Sequence, residues 1–158
     1  MIKLYRKSEE GIHYWETWDH NGAHTVHWGK LGERGQSKEL KSSLFRSATK
    51  AVQAQIEETK AEGYQEIPVE EHHVSLIEYA VQGMGTTTDL DKRHRLESRM
   101  DEILGWTGLG HCDGGSIGSG TMEVCCLVVD FETAAKVIEA ELRGTEFADY
   151  TRIYREDA

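Results

Sequence analysis

The chain has 158 residues, 18 Lys and Arg against 28 Asp and Glu for a net charge of -10, 38% hydrophobic residues and a single proline, the composition of a folded, soluble protein. No apolar stretch approaches the roughly 20 residues that cross a bilayer. The N-terminal MIKLYRKSEEG lacks the apolar core of a secretion signal, and the three cysteines are odd in number and unevenly placed, so the expectation is a reduced, cytoplasmic protein with no membrane partner.

The charge is unevenly spread. Residues 1 to 70 carry 10 Lys or Arg against 11 Asp or Glu, whereas residues 71 to 158 carry 8 against 17. An acidic second half repels phosphate backbones, so a nucleic-acid partner would have to be held by the first half.

In chain order, three alternating segments open the sequence and predict strands: IKLYRK (2 to 7), IHYWETWD (12 to 19) and AHTVHWGK (23 to 30). Asn21-Gly22 between the last two is the preferred pair for a two-residue type I′ hairpin. That turn sets the register: Trp15 faces Trp28, Glu16 faces His27, Thr17 faces Val26 and Trp18 faces Thr25. One hairpin face then carries Trp15, Thr17, Val26 and Trp28, and the other Tyr14, Glu16, Trp18 and His27. Aromatics on both faces predict a sheet covered on one side and partly exposed on the other. SKELKSSLF (37 to 45) supplies a fourth strand. Ser47 is the expected N-cap of a helix over ATKAVQAQIEETKAE, with Ala48, Ala51, Val52 and Ile56 on its inner face and Gly63 at its C′ position. Pro68 and the acidic run VEEHH place a domain boundary at 68 to 73.

The second half reads as strand, helix, two strands, helix, strand. The elements are HVSLIEYAVQ (73 to 82), LDKRHRLESRMDEILGWTG (90 to 108), a strand pair joined through DGGSIGSG, FETAAKVIEAELRG (131 to 144) and YTRIYRE (150 to 156). Leu96, Met100, Ile103 and Leu104 form one helical stripe, and Ala134, Val137, Ile138 and Leu142 another. MEVCCLVVD, the most apolar strand, is expected at the sheet centre. The order βαββαβ matches the ferredoxin-like pattern. The fold class is therefore α+β: a domain at 1–68 with a small antiparallel sheet and one helix, then a ferredoxin-like domain at 73–158.

VHWGKLGERGQ, preceded by HYWETW and followed by AEGYQE, resembles the WGR domain, named for its Trp-Gly-Arg tripeptide. The resemblance covers about residues 1 to 70 and includes Gly32, Gly35, Gln36, the helix and Gly63-Tyr64. Its relatives include DNA-damage-responsive poly(ADP-ribose) polymerases and bacterial regulators of the molybdate-metabolism type, and it implies a nucleic-acid-binding module. In the polymerases the motif tryptophan and arginine work at the DNA terminus and at contacts with neighbouring domains. Those positions fall on Trp28 and Lys30. Lysine keeps the charge but loses the planar, bidentate fork of arginine, so a phosphate contact survives the change better than a geometry-dependent domain contact. Nothing resembling the polymerase catalytic domain follows, and the second half resembles no family whose activity could be carried over.

The candidate nucleic-acid-binding set is Trp28, Lys30, Arg34, Lys38 and Lys41, with His24 and His27 nearby. Aromatic faces stack on bases and cations neutralise phosphates, which suits a nucleic-acid end or single strand. The opposing reading packs Trp28 against Trp15 and leaves the cations as a solvated rim balanced by Glu33 and Glu39. GSIGSG (115 to 120) leads into a strand rather than a helix, so it reads as a flexible, exposed hairpin turn and not a phosphate loop. His111, Cys112 and Asp113 alternate in direction along a strand, and no second cluster completes a zinc pattern. Cys125 and Cys126 read as strand residues, and His72 and His73 as a polar linker. No catalytic constellation, metal site or cofactor site is assembled, so the expectation is a non-enzymatic binding protein. The alternative is a protein-interaction or immunity-type protein presenting acidic surfaces to a basic partner. On the first reading the acidic second domain serves protein contact, a small ligand or dimerisation; on the alternative both domains present acidic surfaces and Trp28 is only structural.

Overall fold

The computed structural model describes residues 1–43 and 47–156. The chain forms two compact units, Met1–Pro68 and Val69–Ala158. Both are mixtures of antiparallel sheet and helix.

The first unit is a four-stranded meander, β1 (Ile2–Ser8), β2 (Gly11–His20), β3 (Ala23–Lys30) and β4 (Gln36–Lys41), with strands adjacent in chain order and one helix, α1 (Ala48–Ala61). Asn21 and Gly22 have φ of 51° and 76°, the two positive values that a type I′ turn requires. The register follows from that turn: Trp15 pairs with Trp28, Glu16 with His27, Thr17 with Val26 and Trp18 with Thr25. The predicted fourth strand ends earlier, at Lys41, and its residues 44 and 45 lie outside the described residues.

Ser47 caps α1, its hydroxyl accepting from the Lys50 N–H at 3.4 Å. At the other end Gly63 (φ 90°) donates to the Lys60 carbonyl and Tyr64 to the Thr59 carbonyl, a Schellman closure that needs the left-handed residue glycine supplies. Val52 and Ile56 pack with Leu4, Trp15 and Val26 in the core, joined by the half-buried Ile2, Trp28, Leu40 and Tyr64. Full burial of such side chains stabilises by about 1.5–3 kcal/mol each. Thr59, rather than Ala51, completes the buried stripe.

The second unit opens with a 3₁₀ turn, Val69–Glu71, and continues through β5 (His73–Ala80), α2 (Thr87–Trp106), β6 (Gly110–Gly118), β7 (Thr121–Val128), α3 (Phe131–Leu142) and β8 (Arg152–Arg155). Its sheet runs β6-β7-β5-β8 with every neighbouring pair antiparallel, the βαββαβ arrangement expected. Apolar β7 lies in the interior of the sheet, and α2 packs on β6 and β7 while α3 packs on β5 and β8. Leu96, Met100, Ile103 and Leu104 are buried as the periodicity predicts, and Ala134, Ile138 and Leu142 are buried on α3.

Strands β5 and β8 and helix α3 are shorter than the sequence reading, and two further differences have a clear physical cause. Helix α2 begins three residues earlier, because Thr86 and Asp89 form a reciprocal capping box. The glycine run is not a long loop: Gly114, Gly115 and Gly118 lie within β6, which carries a register shift between Cys112 and Gly114, and the turn is only Ser119-Gly120 (φ 53° and 90°). No helix among the described residues is long and apolar enough to cross a membrane.

Candidate functional site

The two faces of the first sheet do different work. On one of them Glu16 and His27, opposed in the ladder, are 4% and 1% exposed. His27 Nε2 lies 2.6 Å from the Arg34 carbonyl, which can only accept, so this nitrogen is a donor. Nδ1 lies 2.7 Å from Glu16 Oε1, whose other oxygen meets Lys3 Nζ at 3.1 Å. Tyr14 Oη lies 3.1 Å from His27 Nε2 and donates to the Glu33 carbonyl at 2.9 Å. Burial, reinforced by the charges of Glu16 and Glu33, pushes the Tyr14 phenol well above its ordinary pKa, so it remains a neutral donor. These groups tie the turn after β3 to the sheet by the carbonyls of Glu33 and Arg34.

Gly35 (φ 63°) completes the fastening. A β-carbon there would run into the Trp28 carbonyl and the Tyr14 hydroxyl, and one on Gly29 would come within 2.8 Å of the Gly35 Cα. The turn can lie this close to β3 only because both residues are glycine. His27 is therefore corrected from a contact residue to a positioning one: its ring is buried and both nitrogens are engaged within the unit.

The other face carries Trp28. Trp15 is closed into the core at 8% exposure, whereas the Trp28 ring beside it is half-buried and floors a groove of about 370 Å³. Sheet residues Val26 and Lys38 line one side, and Gln55, Glu58, Thr59 and Glu62 of α1 and its C-cap line the other, with Tyr64 at one end. Lys38 Nζ sits 5.6 Å from the Trp28 ring centroid, within cation–π range. Lys30 stands exposed two residues along the same face of β3, opposite His13, which is opposite Arg6 on β1. Arg6 lies over the Tyr64 ring at 4.8 Å.

The residues singled out from sequence thus separate. Trp28, Lys30 and Lys38 share one face, and Arg34 is exposed on the turn fastened at that end of the sheet. Lys41 is corrected: it alternates to the face opposite Lys38 and pairs with Glu39 at 3.0 Å. His24 shares the Trp28 face but at the far end, 3.4 Å from the Thr49 hydroxyl and 3.8 Å from Asp19. Sequence reading missed Arg6, Tyr64, Glu58 and Glu62, which reach the site from β1 and from α1 and the segment after it. Glu58 and Glu62 had a legible signal, since residues four apart share a helix face, but nothing local said that this face borders Trp28.

Comparison with known families decides the character of this unit. Residues 13–71 match the WGR domain. The match runs from His13 within β2 through α1 to just past Pro68, and the rest of the chain has no family assignment. No curated protein and no solved structure matches the chain. By resemblance the tripeptide of the family name falls on Trp28-Gly29-Lys30, within the matched residues; Trp28 floors the groove, and Gly29 is the glycine against which Gly35 packs.

Proposed function

We propose that the WGR unit binds nucleic acid, at a free end or along a single strand, as a non-enzymatic module. The observation that carries the reading is Trp28, half-open at the floor of a groove with the Lys38 ammonium over its ring. A base or sugar stacking on Trp28 places its phosphate within reach of Lys38, and Lys30 and Arg34 offer two further cations. Stacking on an aromatic contributes about 1–3 kcal/mol per base. Glu58 and Glu62 on the helical wall repel phosphate, so the backbone is directed along the β4 side of the groove.

The test is a salt titration of binding to a short duplex with a free end and to the corresponding single strand. Engagement of Lys30, Arg34 and Lys38 corresponds to about three phosphates and a slope of log K on log salt of about -2 to -3. Lys38→Ala is expected to lower that slope by about 1. Trp28→Ala should weaken binding about 5-fold to 150-fold, its stacking contribution being on the order of 1–3 kcal/mol. No binding at low salt overturns the reading, as does binding that neither variant changes.

The acidic wall formed by Glu58 and Glu62 supports a second reading, a basic protein partner docked on this face. Recovery of one basic protein in stoichiometric amount, unaffected by nuclease and lost in Glu58→Lys, favours it over the first.

A further inference from the structure

The second unit contains three thiols, and the ladder between β6 and β7 sorts them. Cys112 on edge strand β6 stands directly opposite Cys126 on β7, so both side chains lie on one face of the sheet. Cys125 points to the other face, where its partner is Gly114, a residue with no side chain.

The hydrogen bonding fixes which kind of pair Cys112 and Cys126 make. Val129 donates to the Leu109 carbonyl at 2.9 Å, and antiparallel ladders alternate between hydrogen-bonded and narrow pairs. Positions 109/129 and 111/127 are therefore hydrogen-bonded pairs, and 112/126 is a narrow one. The Cys112 N–H bears this out by leaving the ladder and donating to Asp101 Oδ1 on α2 at 2.8 Å. In narrow pairs the Cα atoms lie about 4.5 Å apart, within the range of about 4.4–6.8 Å that a disulfide spans. Just beyond, the register shift at Gly114 bends β6 at this point, and the Cys112 thiol lies 3.7 Å from the Gly114 carbonyl.

The two sulfurs are unlike. Cys126 is fully buried, while Cys112 is partly open to solvent. A hydrogen bond from the Cys126 thiol lowers the Cys112 pKa below the ordinary cysteine value, against burial and the charges of Asp101 and Glu97. The same hydrogen bond, with burial, raises that of Cys126. An accessible sulfur inclined to the thiolate beside a buried thiol is the arrangement of an attacking and a resolving cysteine.

We propose that Cys112 and Cys126 form a dithiol site that a hydroperoxide oxidises to a cross-strand disulfide. The Cys112 thiolate attacks the peroxide, the O–O bond breaks, and the sulfur becomes a sulfenic acid while the other oxygen leaves and takes up the proton that Cys112 released to solvent on ionising, departing as an alcohol, or as water from hydrogen peroxide. The Cys126 sulfur then displaces the sulfenic oxygen, which departs as water with the Cys126 proton. Two electrons pass from the sulfurs to the peroxide, and a dithiol reductant reverses the change. The bond clips edge strand β6 to the sheet interior at its bulge.

The test treats the full chain with a slight excess of hydrogen peroxide, alkylates free thiols and cleaves after glutamate, which separates Cys112 from Cys125 and Cys126 at Glu123. Mass spectrometry without reduction should find the peptides bearing Cys112 and Cys126 joined, two hydrogens lighter than their sum, and separated again by dithiothreitol. The link should persist in Cys125→Ser and vanish in Cys112→Ser and in Cys126→Ser. Hyperoxidation of Cys112 without a link overturns the proposal, as does a link lost in Cys125→Ser or found only between two chains. Cys112→Ser and Cys125→Ser, being at partly exposed positions, decide the matter even if Cys126→Ser fails to fold.

Discussion

A β-carbon at Gly35 meets the Trp28 carbonyl and the Tyr14 hydroxyl, whereas one at Gly63 meets nothing within 4 Å, although both residues have positive φ. Gly63→Ala therefore carries only the backbone cost, about 1 kcal/mol, and Gly35→Ala should cost clearly more because the turn must lift off β3. Urea unfolding of the two variants checks the order. His27 is the corresponding side-chain fastening. Removing it leaves Glu16 buried with only Lys3 and strips the Arg34 carbonyl of its donor, so His27→Ala should cost about 3 kcal/mol. On the proposed function, release of the turn should also weaken nucleic-acid binding, although the His27 ring is buried. The sequence placed His27 opposite Glu16 correctly, but it could not show that the turn folds back over that face, because the contact depends on a Gly29 to Gly35 approach that leaves no periodic signal.

Elements differed in how plainly their residues announced them. The β2–β3 hairpin was legible to the residue, since Asn21-Gly22 admits one tight turn and the turn admits one register. Both long helical stripes were legible for the same reason, apolar residues recurring at the helical period. Strand β6 was not: glycine has no side chain to alternate, so a run of glycines reads as loop, and the strand exists because β7 beside it supplies the pairing. The start of α2 was missed differently. Thr86 and Asp89 have capping-box spacing, but the apolar stripe that draws attention begins later. The cap can be tested alone, since the Thr86 hydroxyl accepts from the Asp89 N–H at 3.2 Å and Thr86→Ala should lower the stability of the second unit by about 1 kcal/mol. The candidate site was half legible on the same logic. Trp28 and Lys38 were found because they lie near one turn in sequence, and the acidic wall was not, because it comes from a helix 20 residues later.

At the scale of the whole chain the excess of acid invites a pH experiment, and its sign can be worked out from particular carboxylates. Hydrogen bonds from Thr86 hold Asp89 below its ordinary pKa, and Arg95 and Arg152 do the same for Glu146 and Glu78. A carboxyl whose folded pKa is depressed contributes stability that is fully present above the unfolded value, near 4.5 for Glu and 3.8 for Asp, and is lost as pH falls through the folded value. Acidification also relieves repulsion among the other carboxylates, so the stability curve of the wild type alone mixes two opposing trends. The difference between wild type and Glu146→Gln removes the shared part. Glu146→Gln should be less stable than wild type at neutral pH, where Arg95 donates to both oxygens of Glu146 at 3.1 and 2.8 Å, and the gap should close as pH falls below about 4.5. The pair is exposed and screened by salt, so the gap should also narrow between low and high ionic strength at neutral pH. Denaturant melts of both proteins across pH 3 to 7 measure it, and a gap that widens on acidification would show that Glu146 is held in the protonated form instead.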